Sequence, residues 1–248
     1  MILENQHPAR QNVFIGRKSE LADVITRLLS PECHLLTVTG LGGSGKTRLA
    51  VEAARASASH FQDGVVFVAL QQIPRSDLLV QTIAQSLSLT LYGDSETETQ
   101  VFNYLSDKSI LLILDNFEHL LSGAALVSTI LAYAPMVKIL VTSREALNLQ
   151  EEWLYPLKGM NAPLSTYTSP IEDYESVQLL LYHARRIQPA FDLVSEHEPV
   201  IRICSMTAGL PLAIELAASW LKGLTASQIA TAMQHNLSFL STTARNIE

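Results

Sequence analysis

Five short apolar runs constrain the fold more than any other feature. They are HLLTVT (34–39), GVVFVAL (64–70), ILLILD (110–115), VKILVTS (137–143) and WLYPL (153–157). Their apolar residues run almost continuously instead of alternating with polar ones, as in strands covered on both faces. Segments of helical periodicity fall between them, at residues 47–61, 76–89, 97–107 and 122–135. Strands and helices in alternation predict a parallel sheet with helices packed on it. The expected fold is α/β and three layers deep, around a parallel sheet of about five strands.

The pattern changes near Lys158. KGMNAPLSTYTSP (158–170) has two prolines and no periodicity, the mark of a connecting segment. Beyond it the chain reads as helix at 173–187, 197–208, 211–221 and 225–234. Thr225 and Gln228 open the last of these in the spacing of a capping box. We therefore expect a core at 1–158 with an extended lead-in at 1–12, a linker at 159–172 and an all-α subdomain at 173–248. A chain of 248 residues is long enough for that arrangement. Its 48% hydrophobic and 17% charged residues argue for a compact protein and against disorder.

The formal net charge of −7 speaks against a general polyanion binder, so no direct DNA binding is expected of this segment. Cys33 and Cys204 stand in no metal or redox spacing and read as reduced, buried thiols. No apolar run reaches the roughly 18–20 residues of a membrane span. The polar opening MILENQHPARQN has no apolar signal region. The expected setting is cytoplasmic, away from membranes.

The first apolar run leads into GLGGSGKT (40–47), which fits G-x-x-x-x-G-K-[ST] between a predicted strand and a predicted helix. Each residue type has a physical reason. The glycines Gly40, Gly42, Gly43 and Gly45, with Leu41 and Ser44 between them, let backbone N–H groups close around phosphate oxygens. The helix starting near Lys46 directs its positive dipole end at the same anion. Lys46 adds a full charge for the β- and γ-phosphates, and the Thr47 hydroxyl is placed to ligate Mg2+. Arg48 follows directly and belongs to the expected nucleotide-contacting set. The expected ligands are ATP or ADP with Mg2+.

A magnesium-holding acid should end another buried strand, and Asp115 ends ILLILD. The same residue could instead N-cap a helix with Asn116 and Glu118 in its first turn, and the two roles are compatible. Glu118 and His119 are the candidates for orienting an attacking water, with Glu118 the better placed. A third strand ends in LVTSR (140–144), so Thr142, Ser143 or Arg144 would face the phosphate edge. Arg144 there either senses the γ-phosphate and transition-state charge or pairs with a surface acid.

These stretches make the chain resemble the nucleotide-binding module of the signal-transduction ATPases called STAND, in the NB-ARC/AP-ATPase branch. Apoptotic adaptor ATPases, plant disease-resistance proteins and large bacterial transcriptional regulators carry that module. The resemblance rests on FIGRKSEL (14–21), GLGGSGKTRLA (40–50), LLILDNFEHL (111–120), ILVTSRE (139–145) and GLPLAIELAA (209–218), in the family's order. It implies a P-loop NTPase core followed by a helical lid that senses the bound nucleotide. It also implies that the backbone at Phe14, Ile15 and Gly16 cradles adenine, that Arg17 lies near the phosphates and that Pro211 packs on the base. Read without the resemblance, Pro211 is an ordinary first-turn proline after Gly209. The chain departs from the family in having Asn116 where a second acid often follows the first. The family continues into a winged-helix domain carrying a phosphate-reaching histidine, which implies that the natural chain continues past this segment.

Four readings of function follow. The first is a regulatory switch in a bacterial transcriptional regulator, resting with ADP, active with ATP and reset by slow hydrolysis, with its hinge in the linker. Its partners would be the winged-helix, sensor and effector domains of the same protein, with self-assembly on activation. The second is an AAA-like motor acting on DNA or protein, which the acidic charge and the GLPLA segment oppose. The third is a nucleotide-stabilised scaffold that does not hydrolyse. A metabolic kinase is weaker still, since no second glycine-rich or arginine-rich site offers a phosphoryl acceptor.

Overall fold

In the computed structural model, which describes residues 13–91, 96–163 and 170–235, the five apolar runs are five strands. They are β1 (Leu35–Thr39), β2 (Gly64–Ala69), β3 (Ile110–Asp115), β4 (Lys138–Ser143) and β5 (Glu152–Pro156). They form one sheet in the order β2-β3-β4-β1-β5, and every neighbouring pair is parallel. Helices α1 (Lys18–Leu29), α2 (Lys46–Ser57), α3 (Leu79–Ser86), α4 (Thr97–Leu105) and α5 (Ala125–Tyr133) connect or flank the strands. The α/β, three-layer expectation holds.

The continuous apolar character of the strands has a direct cause. Successive side chains point to opposite faces, and each face has its own core. Leu35, Val66, Leu112 and Ile139 pack with Leu79 and Ile83 of α3, Val101 of α4 and Ile130 of α5. Their strand neighbours Leu36, Val65, Leu111 and Leu140 pack with Val24 and Leu28 of α1 and Leu49 and Ala53 of α2. Each fully buried Leu or Val contributes about 1.5–3 kcal/mol of transfer free energy. A one-residue slip of any strand would exchange the two sets.

The described residues fall into two compact units. The sheet unit holds residues 13–14, Lys18–Gly42 and Lys46–Leu157; the other holds Ile15–Arg17, Gly43–Gly45 and the chain from Lys158 onward. The second unit is helical: α6 (Glu175–Ile187), α7 (His197–Met206), α8 (Pro211–Ser219) and α9 (Ala226–His235). Its core includes Val177, Leu180, Ile203, Ile214, Ile229 and Met233. Pro211 is the first-turn proline of α8, after Leu210 in an extended conformation. The expected capping box forms, with Thr225 N–H donating to Gln228 Oε1 (2.9 Å) and Gln228 N–H donating to Thr225 Oγ1 (3.2 Å).

Gly209 sits where α7 turns into α8, at φ 67°, and its carbonyl accepts from the Met160 N–H at 2.8 Å. A Cβ on Gly209 would stand 2.0 Å from the Met160 carbonyl oxygen, so only glycine fits this backbone-on-backbone contact.

Some helices are shorter than their apolar patterns. The pattern at 47–61 gives a helix only to Ser57, whose hydroxyl turns back onto the Ala53 carbonyl (2.8 Å), and a 3-10 turn at Ala58–His60 follows. The pattern at 76–89 opens as a 3-10 turn at Ser76–Leu78 before α3. The lead-in at 1–12, residues 164–169 of the expected linker and hinge, and the end of the chain from 236 lie outside the described residues.

Candidate functional site

Because all five strands run the same way, their C-terminal ends share one edge of the sheet. The glycine loop leaves β1 there, Asp115 ends β3, and Arg144 follows β4 directly. Ligands of open parallel sheets bind at such an edge.

Asp115 is the organising group of the sheet unit. It is buried, and its Oδ1 accepts from two hydroxyls, Thr47 Oγ1 and Thr142 Oγ1, each at 2.6 Å. Thr47 lies 68 residues earlier in the chain, in the first turn of α2, so the fold brings the end of the glycine loop onto the strand acid. Thr142 Oγ1 also accepts the Asn116 N–H at 3.0 Å. Mg2+ usually takes one or two protein oxygens and completes its shell with water and phosphate. The Thr47 hydroxyl and Asp115 carboxylate are a donor set that fits it. Among the described residues no group of three or more His, Cys, Asp or Glu could hold a metal.

The helix-capping alternative for Asp115 and Asn116 does not form. The segment after Asn116 is a 3-10 turn, Phe117–His119, with no side-chain cap. Asn116 takes a left-handed backbone at φ 64°, which Asn tolerates better than most residues. Its Nδ2 donates to Gln71 Oε1 at 3.3 Å.

Lys46, the first residue of α2, folds onto the glycine loop. Its Nζ donates to the carbonyls of Gly40 (2.8 Å) and Leu41 (3.0 Å). Burial pulls its pKa below the ordinary lysine value; Glu118 opposes the shift, Arg144 adds to it and Asp115 opposes it. Glu118 and Arg144 are paired with each other, Arg144 Nε lying 3.0 Å from Glu118 Oε1. His119 turns elsewhere. Its Nε2 lies 3.1 Å from the Leu70 carbonyl and 2.9 Å from that of Ile73, so it acts as the donor that ties down the segment after β2. Arg48 donates to the Val13 carbonyl, and Phe14 packs against the core beneath α1 and α2.

In the helical unit, the middle of the glycine loop meets α8. The Leu212 N–H donates to the Gly43 carbonyl at 3.2 Å. Gly43 has φ 76°, and a Cβ there would come within 2.8 Å of Leu212 Cβ. Pro211 Cγ stands 3.7 Å from where a Cβ on Gly45 would lie. Ser44 is buried and its hydroxyl has no hydrogen-bond partner among the described residues. A buried hydroxyl left unsatisfied costs about 1–3 kcal/mol, so this one is suited to a ligand oxygen. Arg17, also with positive φ (59°), donates from Nη2 to the carbonyls of Ser44 (3.2 Å) and Lys158 (2.6 Å). Its N–H donates to Glu175 Oε1 at 2.5 Å. Ile15 packs against the helical core.

Sequence reasoning missed Glu175 and Leu212. An acid in the first turn of a helix looks like an ordinary dipole partner, and a leucine after a proline looks like core. Only the folded contacts distinguish them.

Comparison with known proteins is consistent with this geometry. Residues 17–149 match the family model described as the NB-ARC domain. A putative HTH-type transcriptional regulator of Mycobacterium tuberculosis is 35% identical over 206 residues, covering 82% of this chain and 22% of that protein. The regulatory protein AfsR of Streptomyces griseus is 30% identical over 226 residues, covering 86% of this chain and 21% of AfsR. The chain thus spans about a fifth of the length of these two regulators. Among solved structures, a STAND protein with a tetratricopeptide repeat sensor from Pyrococcus horikoshii superposes with TM-score 0.54 at 16% identity. That match covers 91% of this chain and 33% of the other, and shows a shared fold.

Proposed function

The chain belongs to the NB-ARC domain family, and from that premise we propose that it is the ATP/ADP switch module of a larger transcriptional regulator. The observation that carries the reading is the hydrogen bond between Thr47 and Asp115, 68 residues apart, at the mouth of a glycine loop that also presents Lys46. In this reading the loop N–H groups, the Ser44 hydroxyl and Lys46 hold the phosphates. Lys46 reaches them by exchanging the Gly40 and Leu41 carbonyls for phosphate oxygens, a stronger, charge-assisted contact. The backbone of Phe14, Ile15 and Gly16 and the ring of Pro211 are the proposed contacts of the base, and Arg17 holds the loop through the Ser44 carbonyl.

Thr47 and Asp115 would hold Mg2+, which when bound neutralises charge on the β- and γ-phosphates. Arg144 reads the γ-phosphate, and Glu118 orients water for slow hydrolysis. The switch reading draws further support from the loop's middle residues. Gly43–Gly45 cluster with the helical unit, and Gly43 is bonded to Leu212 at the start of α8. A change in the backbone of those residues on nucleotide exchange therefore reaches α8 directly. The remaining domains of the regulator would read that movement, and self-assembly would follow activation.

The test is to denature the purified protein and identify released nucleotide by chromatography, for wild type and Lys46→Ala. Wild type should release ADP and the variant little or none, with the two circular dichroism spectra superimposable. Equal nucleotide content in both would refute the assignment of the loop.

A further inference from the structure

We infer that Arg144 and Glu118 form a latch that a γ-phosphate opens and a diphosphate leaves closed. The inference rests on the nucleotide reading of the glycine loop and adds regulation to that site. Three observations carry it. First, among the described residues the Arg144 guanidinium pairs with the Glu118 carboxylate, and its side chain is 65% exposed, so little packing holds it in place. Second, the two ends of the pair are unequal. Glu118 is 21% exposed, and its second oxygen, Oε2, is buried with no hydrogen-bond partner among the described residues. Third, the guanidinium lies along the loop, with Nη2 3.7 Å from where a Cβ on Gly42 would stand. The arginine thus reaches the phosphate-binding loop while still tied to the acid.

The energetics favour exchange. An ion pair this exposed contributes little, since water and salt screen it. A γ-phosphate offers the guanidinium more charge and a bidentate set of oxygens. ATP therefore draws Arg144 off Glu118, and ADP has nothing to draw it with. Once released, Glu118 Oε1 can accept a hydrogen bond from a water molecule and orient it. Sensing of the third phosphate and readiness for hydrolysis become one event. The cost is a lower affinity for ATP, because the pair must open first.

The test is a double-mutant cycle on binding, read without turnover. Kd values for fluorescent ADP and for a non-hydrolysable fluorescent ATP analogue are measured with Mg2+ for wild type, Glu118→Gln, Arg144→Ala and the double variant. Glutamine keeps the shape of Glu118 and the Arg144 side chain is exposed, so all four should fold, with circular dichroism as the check. With the latch, Glu118→Gln shifts the triphosphate-to-diphosphate preference towards triphosphate by up to about fivefold more when Arg144 is present than when it is absent. An equal shift in both backgrounds means that Glu118 repels the γ-phosphate through space, and overturns the latch. No shift in either background overturns it too. Failure of wild type to bind either nucleotide would instead overturn the reading on which the latch rests, and the latch with it.

Discussion

Replacing Thr142 with valine isolates the hydroxyl that holds Asp115 from the β4 side. Thr142 is fully buried, and its Oγ1 donates to Asp115 Oδ1 at 2.6 Å and accepts the Asn116 N–H at 3.0 Å. Valine fills nearly the same space, so little cavity term arises. A hydrogen bond to a charged group contributes about 1.5–3 kcal/mol, and the second, neutral bond about 1 kcal/mol. The sum is about 2.5–4 kcal/mol lost from the sheet unit. Trp153 lies in β5 and Trp220 in the helical unit, so fluorescence in a Trp220→Phe background follows the sheet alone. With a urea slope of about 2 kcal/mol/M, the midpoint should fall by roughly 1–2 M. Thr142→Ser keeps the hydroxyl and should lose only the methyl contribution, about 1 kcal/mol. If the valine and serine variants unfold at the same midpoint, the hydroxyl does not hold Asp115 and the account of this network is wrong. The valine variant should also weaken nucleotide binding more in Mg2+ than in chelator, because Asp115 loses one of its two threonine anchors.

Gly209→Ala should destabilise the helical unit by at least about 2 kcal/mol, since it combines a left-handed backbone with a Cβ 2.0 Å from the Met160 oxygen; an unchanged urea transition followed by Trp220 would contradict the contact. Burial pushes the Cys204 thiol up to about 12 and raises that of Cys33. Both should therefore resist a thiol-specific reagent at pH 8 until the protein unfolds, and fast labelling of either in the folded protein would show that the burial is wrong.

The strands were legible because burial on both faces leaves an unbroken apolar run, a signal that survives without tertiary information. All five lie within a residue or so of their expected bounds. Helix ends were less legible. Ser57 ends α2 through its own hydroxyl, and a serine reads the same whether it faces solvent or the preceding turn. In the site, the glycine loop and Asp115 could be read because their chemistry requires particular residue types in particular places. Pairing of Arg144 with an acid is one of the two expectations for it, but that the acid is Glu118 could not be read. The pair joins two exposed-looking charges that lie 26 residues apart in the chain and follow strands that are neighbours in the sheet. Arg17 shows the same limit from the other side: only the resemblance brought it near the phosphates, and the residues of FIGR did not specify the carbonyls of Ser44 and Lys158 as its partners.

Asn116 bears on how fast such a module can turn over. Its left-handed backbone is open to aspartate as well as asparagine, so backbone conformation alone does not select a neutral residue there. The side chain does. Nδ2 donates to Gln71 Oε1, and a carboxylate has no proton to give at that position. Asn116 therefore fastens the end of β3 to the segment after β2 and leaves Asp115 as the single acid on the strand end. Under the proposed reading water orientation would then fall to Glu118, which sits in the 3-10 turn and is paired with Arg144. A base that had first to be released would make hydrolysis slow. Slow hydrolysis is what separates a switch from a motor, because a switch must remain in its ATP state long enough to be read. If Asn116→Asp accelerates phosphate release tenfold or more at unchanged ATP affinity, a second acid alone suffices for fast turnover, and control by the Glu118–Arg144 pair is refuted. The expected result is a rate within about threefold of wild type together with a modest loss of stability from the broken Gln71 contact.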